Sequence, residues 1–292
     1  MFRNTSYFRY KENFSPDLYF DTDAGGFLYT YIRKNASTSF KKLFKTLNPE
    51  ACLDDIPTIG CMVKHSKIQD ELPDEIEKKF KTKVFIYRDP IERVFSVYNN
   101  KLVQQDGAVD LLRRLEMAIN RDPASLTFNE FVSEYVVLLE TSRWEEVDAH
   151  LYPQKWHLLP ITYNKTICIN NLYQEMRSFL SDELCDKVFK KPSNSTTEDI
   201  PSLPFANPSC SALYFRKKYA ALKMLPSLDQ LLTPETEERL RKIYSDDYKM
   251  ISVIECQSTR YVTANDLDFS ANFDSTADKI KNKLGLDFTL SS

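Results

Sequence analysis

The chain has 292 residues, a net charge of −3 and only five glycines, where average usage would give about 20. No spacing among these glycines fits a Walker loop or a dinucleotide-binding fingerprint, which excludes the usual glycine-rich nucleotide loops. The small negative charge excludes a general nucleic-acid binder, and no apolar run reaches the length of about 18 residues that a transmembrane helix needs. A hydrophobic content of 42% is enough for a sizeable core.

A first strand–loop–helix unit follows a polar N-terminal segment. Residues 1–26 are polar and aromatic and indicate an N-terminal arm. The run FLYTYI (27–32) predicts a buried strand, and the polar run RKNASTS (33–39) predicts a loop. Apolar residues at i, i+3, i+4 and i+7 from Phe40 then predict an amphipathic helix.

A second unit repeats this design further along the chain. VFIY (84–87) predicts a strand, and Asp89, Pro90 and Glu92 fit the N-cap, the first position and the capping-box position of a helix. Two such units predict a central parallel sheet with crossover helices, which is an α/β fold.

The second half of the chain is predicted to be rich in helices. One further strand is predicted at 166–169, and the run 191–210, rich in proline and serine, predicts a long loop. The tail is more polar and indicates an appended segment, 252–292, with a short helix near 275–284. The helical patterns cover 108–120, 128–140, 171–182, 212–224 and a segment capped by Thr233.

Two of the predicted loops suit an anion. In the first, Lys34 supplies a full charge, three hydroxyl residues follow it, and the loop lies before a helix N-terminus, where backbone N–H groups are unpaired. In the second, Arg88 ends a strand and Ser96 lies two turns into the next helix. Taken singly, each loop is better explained as an ordinary polar loop before a capped helix, Arg88 then forming a surface ion pair.

Together the two segments resemble a known family. IRKNASTSFKKLF resembles the 5′-phosphosulfate loop, and VFIYRDPIERVFSVYNNK the 3′-phosphate segment, of the Golgi-type carbohydrate sulfotransferase superfamily. The similar branch contains heparan sulfate 2-O-sulfotransferase, the chondroitin and dermatan enzymes and bacterial relatives. Residues 148–154 are similar to its His-x-x-Pro-Gln element, and 232–250 to its C-terminal helix ending in Tyr-x-x-Asp-Tyr.

This resemblance implies a P-loop-like sulfotransferase domain over 27–251. The implied donor substrate is 3′-phosphoadenosine 5′-phosphosulfate (PAPS), with no metal required, and the implied acceptor is a carbohydrate hydroxyl. Lys34 is implied to stabilise charge on the bridging oxygen. The implied donor-binding residues are Arg33, Lys34, Asn35, Ala36, Ser37, Thr38, Ser39, Arg88 and Ser96. The loop reads Arg-Lys where many relatives read Pro-Lys, so its entry lacks the fixed φ of proline.

The resemblance also calls for a base that takes the acceptor proton. His65 is predicted as this base, because the 2-O-sulfotransferase type places a catalytic histidine in the same interval. His150 is the alternative base or, with Gln154, an acceptor-binding residue; His157 is expected to be structural. A carboxylate such as Glu71 is a further alternative.

Other readings remain open at this stage. One alternative is a small-molecule kinase, which would need a glycine-rich loop and a carboxylate that binds Mg²⁺. The other is a binding module that has the same fold but no catalytic activity. Lys217 and Lys218 indicate either a solvated helix face or an anion contact. The six scattered cysteines are expected to be reduced and to bind no metal. The starting Met and the lack of a signal core favour a cytoplasmic bacterial enzyme; a lumenal Golgi domain without its anchor is the alternative.

Overall fold

The fold is seen in a computed structural model with one central sheet. Its strands are β1 (Asp17–Phe20), β2 (Phe27–Thr30), β3 (Lys83–Tyr87) and β4 (Lys165–Cys168), in the order β1-β2-β3-β4. β1 runs antiparallel to β2, whereas β2, β3 and β4 are parallel. The predicted α/β class with a central parallel sheet is therefore confirmed. The structure describes residues 16–23, 25–52, 58–68, 73–190, 200–256 and 262–263.

β1 was not predicted, since its residues fall in the range assigned to an N-terminal arm. Leu18 and Phe20 are buried against the sheet, so these residues belong to the core. The hairpin to β2 uses two of the five glycines: Gly25 has a φ of 105°, and a Cβ on Gly26 would lie 1.9 Å from the Tyr19 hydroxyl. Glycine is thus required in this turn rather than in a nucleotide loop.

The helices lie mainly after the second strand. We label them α1 (Ser37–Leu47), α2 (Thr58–Ser66), α3 (Pro73–Lys79), α4 (Pro90–Val97), α5 (Val109–Ile119), α6 (Phe128–Glu130), α7 (Leu172–Met176), α8 (Asp182–Val188), α9 (Ala212–Leu222), α10 (Leu228–Leu231), α11 (Pro234–Ile243) and α12 (Ser245–Cys256). The π-helical residues Tyr98–Val103 extend α4. Residues Phe131–Tyr135 and Val136–Glu140 extend α6 in π-helical and 3₁₀ form.

Most predicted helices that fall on the described residues are confirmed, with one difference. The pattern over 171–182 is divided between two helices: α7 ends at Met176, and α8 begins at Asp182 after its N-cap Ser181. The helix expected near 275–284 lies outside the described residues. The predicted domain boundaries remain predictions.

The sheet is covered on both faces. Alternate residues of β2 point to opposite sides, with Phe27 and Tyr29 in one core and Leu28 in the other. α1, α2, α7 and α8 pack on the first face, and α3 and α12 on the second. A third core joins α4, α5, α6, α9 and α11 beside the sheet. This arrangement leaves the carboxyl ends of β2 and β3 at one edge, where ligands of parallel sheets usually bind.

Two further observations concern the described ranges only. No helix there is long and apolar enough to cross a membrane. The cysteines whose side chains are described are free thiols: Cys61, Cys168, Cys185, Cys210 and Cys256.

Candidate active site

The loop between β2 and α1 has the backbone of an anion cradle. Lys34 and Ala36 adopt left-handed φ angles of 68° and 57°, while Asn35 between them does not. Alternation of this kind can turn N–H groups towards one concavity. The Asn35 and Ser39 amides donate to the Ile32 and Ala36 carbonyls at 3.2 and 2.9 Å, whereas the Ser37 and Thr38 amides at the start of α1 have no acceptor in the described part of the chain. Each left-handed non-glycine residue costs on the order of 1 kcal/mol or more, so the surrounding structure must fix this loop.

Asn35 provides much of that fixation. Its side chain is buried, and its Nδ2 donates to the Ile86 carbonyl at 2.8 Å and to Gln154 Oε1 at 2.6 Å. Ile86 lies in the adjacent strand β3, so the amide ties the loop to the sheet. Asn35 therefore stabilises the cradle from the side of the sheet. It does not line the cavity that this loop faces, which is described below.

Gln154 joins the two segments that the sequence singled out. Its Oε1 also accepts from the Arg88 N–H at 3.0 Å, and its Nε2 donates to the Arg88 carbonyl at 2.8 Å. The side chain is fully buried and does not line the cavity. The structure thus gives Gln154 a positioning contact with Asn35 and Arg88, not the acceptor contact predicted for it.

Arg93 fixes a second junction from a fully buried position in α4. Its Nε donates to the Arg33 carbonyl at 3.3 Å, and one terminal nitrogen donates to the carbonyls of His150 and Tyr152 at 3.1 and 2.5 Å. One guanidinium therefore connects the loop between β2 and α1 to the segment around His150.

The Tyr-x-x-Asp-Tyr pattern at the C-terminal end explains how that segment is held. Tyr244 donates through its hydroxyl to the Leu151 carbonyl at 2.6 Å, and Tyr248 to Asp89 Oδ2 at 3.1 Å. The buried carboxylate of Asp247 accepts from the Gln154 and Lys155 amides at 2.8 and 2.9 Å. The motif is structural: it holds the segment around His150 and Gln154 through buried hydrogen bonds.

Replacing Asp247 with alanine is expected to lower the free energy of unfolding by roughly 2–5 kcal/mol, because two buried amides lose their acceptor. Urea denaturation of the purified protein measures this. The matched control is Asp246→Ala, since Asp246 forms only an exposed ion pair with Lys249 at 3.3 Å. Equal stabilities of the two variants would contradict the anchoring role.

The loop faces a large cavity of about 1130 Å³. Its wall combines helix N-termini, cationic side chains and the segment around His150. The predicted site residues that line it are Arg33, Lys34, Ala36, Ser37, Thr38, Ser39, Arg88, Ser96 and His150. The structure thus brings both predicted phosphate segments to one cavity.

Arg88 and Ser96 lie on the part of the wall formed by β3 and α4. Ser96 is buried, and the Arg88 side chain is 16% exposed. Arg88 Nε donates to Glu92 Oε2 at 3.3 Å, one helical turn further on. This pair keeps the guanidinium at the cavity wall, where it can reach a phosphate.

Lys34 is paired with a neutral group. Its Nζ donates to Asn100 Oδ1 at 2.5 Å, and no described carboxylate forms an ion pair with it. Burial and the charge of Lys101 lower the pKa of Lys34 to about 7. An anion in the cavity would offset this penalty and favour the charged ammonium.

His150 forms a dyad with Asp148 beside these cations. Its Nδ1 lies 2.6 Å from Asp148 Oδ1, and its backbone N–H donates to the same oxygen at 2.9 Å. Burial lowers the pKa of His150 to about 4, although the bond to Asp148 raises it. For Asp148, burial raises the pKa, but His150 outweighs this and lowers it to about 2. A neutral ring that donates from Nδ1 carries its lone pair on Nε2, as a base requires.

His65, the predicted base, is not brought to the cavity. It lies on the exposed side of α2, and its ring is 6.4 Å from that of Phe44. Val63 does line the cavity, and residues two apart on a helix face different sides. Lys217 and Lys218 in α9 also lie outside the wall, and Glu71 is not among the described residues.

Several wall residues were missed by sequence reasoning. Asn100 and Lys101 lie in the π-helical extension of α4, and Asp106 follows in the next turn. An α-helical reading misplaces such residues, because a π-helix has a wider turn. Arg93, which lies behind the wall, was missed for another reason, since the sequence does not reveal which charged residues are buried.

Comparison with known proteins agrees with this geometry. A model of the sulfotransferase family matches residues 17–251, and the chain belongs to that family. It is 30% identical to carbohydrate sulfotransferase 14 of Homo sapiens over 137 residues, 43% of this chain and 36% of the relative. The Mus musculus protein of the same name is 30% identical over 123 residues, 38% of this chain and 32% of the relative. The chain thus spans about a third of each relative. No solved structure matches it significantly.

Proposed function

We propose that this protein transfers the sulfuryl group of PAPS to a hydroxyl of a carbohydrate. The observation that carries the proposal is the meeting of Lys34, Arg88, Ser96 and His150 around one cavity. PAPS carries a phosphosulfate and a separate 3′-phosphate. Two phosphate-binding segments and one base are the groups that such a donor and a hydroxyl acceptor need.

In the proposed complex, the donor is held at two points. The N-terminal amides of α1 and the Lys34 ammonium bind the 5′-phosphosulfate, and the hydroxyls of Thr38 and Ser39 complete the cradle. Arg88 and Ser96 bind the 3′-phosphate, because a guanidinium suits bidentate phosphate contacts. The fit is supported by Lys34, with which no described carboxylate forms an ion pair; the guanidinium of Arg88 is held at the wall by Glu92.

The proposed transfer is a single in-line displacement. His150 Nε2 takes the proton of the acceptor hydroxyl as its oxygen bonds to sulfur. The bond from sulfur to the bridging oxygen breaks, and its electron pair remains on the leaving 3′-phosphoadenosine 5′-phosphate (PAP). Lys34 stabilises that developing charge, and Asp148 stabilises the imidazolium that forms.

The carbohydrate class of the acceptor is proposed from the relatives, both of which are named carbohydrate sulfotransferases. The test is to incubate the protein with PAPS labelled on sulfur and a panel of neutral and acidic glycans. Label in a glycan product, lost when PAP is added in excess, supports the proposal. Label transferred only to phenols or steroids would overturn the acceptor class while keeping the donor.

The pH dependence of kcat/KM for PAPS is expected to be bell-shaped. The free enzyme works with His150 neutral and Lys34 protonated, so activity falls as pH drops through about 4 and as it rises through about 7. Lys34→Arg should remove the alkaline limb, because arginine stays charged above pH 12. An alkaline limb that persists in this variant would assign it to another group.

A further inference from the structure

Lys101 is a nearly buried cation in the cavity wall that the proposed mechanism has not used. It lies in Tyr98–Val103 and is 7% exposed. Its Nζ donates to the carbonyls of Asp106 and Gly107 at 2.6 and 3.2 Å. Left-handed φ angles at Gln105 and Gly107, 58° and 53°, curl the following turn around the ammonium. The backbone therefore holds the end of this side chain at the cavity.

Lys101 forms no ion pair with a carboxylate of the described residues, although the charges of Asp106 and Asp148 oppose the lowering of its pKa by burial. Both carbonyl acceptors of its Nζ are neutral. Lysine is almost never this buried unless it is paired. Lys34, another ammonium of this wall, is likewise hydrogen-bonded to a neutral amide. Two such cations in one cavity indicate an anionic ligand that reaches both.

The position of Lys101 relative to Lys34 and His150 indicates which part of that anion its ammonium contacts. Its ammonium is linked to that of Lys34 through two residues: Lys34 donates to Asn100 Oδ1, and Asn100 Nδ2 donates at 3.1 Å to the carboxylate of Asp106, whose carbonyl accepts from Lys101. Lys101 and His150 line the same cavity, and the charge of Lys101 lowers the pKa of both Lys34 and His150. In an in-line transfer the sulfur lies between the leaving oxygen, beside Lys34, and the acceptor oxygen, beside His150. A cation near both groups faces the sulfur and its non-bridging oxygens.

We infer that Lys101 is a second catalytic cation, which donates the free N–H of its ammonium to a non-bridging oxygen of the transferred sulfuryl group. This inference rests on the proposed function. Lys34 stabilises the charge that develops on the leaving phosphate. Lys101 binds the sulfuryl group during its transfer and fixes its orientation towards the acceptor hydroxyl. The two carbonyl bonds keep its ammonium in place without neutralising its charge.

The test compares two ligands that differ only in the sulfuryl group. Calorimetric titration of wild type and Lys101→Met with PAPS and with PAP gives four dissociation constants. PAPS affinity should fall about 10- to 100-fold in the variant, the size of a hydrogen bond to a charged group, while PAP affinity is unchanged. Lys101→Arg, which keeps the charge, should retain most of the preference for PAPS.

Lys83→Met is the matched control. Lys83 is also buried and donates to a backbone carbonyl, that of Phe80 at 2.9 Å, but it pairs with Glu77 at 3.8 Å and lies in β3 away from the cavity wall. Replacing Lys83 should change the thermal stability of the protein but leave its affinities for PAPS and PAP unchanged. Equal loss of PAPS and PAP affinity in Lys101→Met, or no loss of either, would overturn the inference. If Lys101→Met does not fold, a Lys101→Arg protein without a preference for PAPS also overturns it. Wild-type protein that binds neither ligand would instead refute the proposed function itself.

Discussion

Replacing His150 with alanine is expected to lower kcat by about 10²–10⁴-fold, the usual contribution of a general base. PAP affinity should be unchanged, since the ring faces the acceptor side of the proposed complex. The expectation rests on the dyad with Asp148, whose carboxylate lies 2.6 Å from Nδ1 and leaves Nε2 to accept a proton. Single-turnover assays with labelled PAPS, together with calorimetry for PAP, separate these two effects.

His65→Ala is the control for this prediction, because it removes the other histidine that the sequence favoured as the base. His65 lies on an exposed helix face outside the cavity wall, so the variant should keep wild-type kcat. The reverse result, with His65→Ala inactive and His150→Ala active, would return the role of the base to His65. Loss of PAP binding in His150→Ala would indicate a structural role for His150.

Replacing Lys34 with alanine is expected to lower kcat/KM for PAPS by about 10³–10⁵-fold. One factor, about 10²–10³, is the loss of charge stabilisation on the leaving oxygen. The other, about 10–100, is the loss of a charge-assisted hydrogen bond to the bound donor. Only the second factor affects PAP, so PAP affinity should fall much less than kcat/KM. Steady-state kinetics and calorimetry on the same preparation measure both.

Lys42→Ala provides the matched control for Lys34. Lys42 lies on the exposed side of α1, eight residues further on, and does not line the cavity. Its loss removes the same formal charge, so any effect of net charge alone appears in both variants. Near-normal turnover in Lys34→Ala would contradict the role assigned to the phosphate loop.

The elements around the phosphate loops were predictable because local signals agreed. β2 and β3 are apolar runs followed by turn and capping residues, and the Asp89 side chain accepts from the Ile91 and Glu92 amides as the capping pattern predicts. The pairing of these strands follows from the chirality and length of crossover connections. Hence the cavity edge could be located from sequence before any contact was known.

Long-range polar contacts could not be predicted in the same way. Arg93 reads as an ordinary helix charge four residues after its N-cap, yet it is fully buried and bridges two loops. The π-helical extension that carries Lys101 is likewise set by tertiary packing, since Arg216 of α9 donates to the Leu102 carbonyl at 3.0 Å. Local propensity carries no information about such partners.

The shortage of glycine also has a physical explanation at the site. Lys34 and Ala36 adopt left-handed conformations for which glycine is usually selected. Asn35 offsets part of that cost through its bonds to Ile86 and Gln154. A loop with this backbone can thus be built with few glycines when a buried amide network fixes it, and this network depends on residues more than 50 positions away.

The most direct test of the central claim is a calorimetric comparison of PAP with ADP and Mg²⁺ on the wild-type protein, since it needs no knowledge of the acceptor. The two-point phosphate site predicts tight PAP binding, lost on addition of a 3′-nucleotidase, and much weaker binding of ADP with Mg²⁺. Equal or tighter binding of ADP with Mg²⁺ would contradict a PAPS-dependent sulfotransferase and favour a kinase.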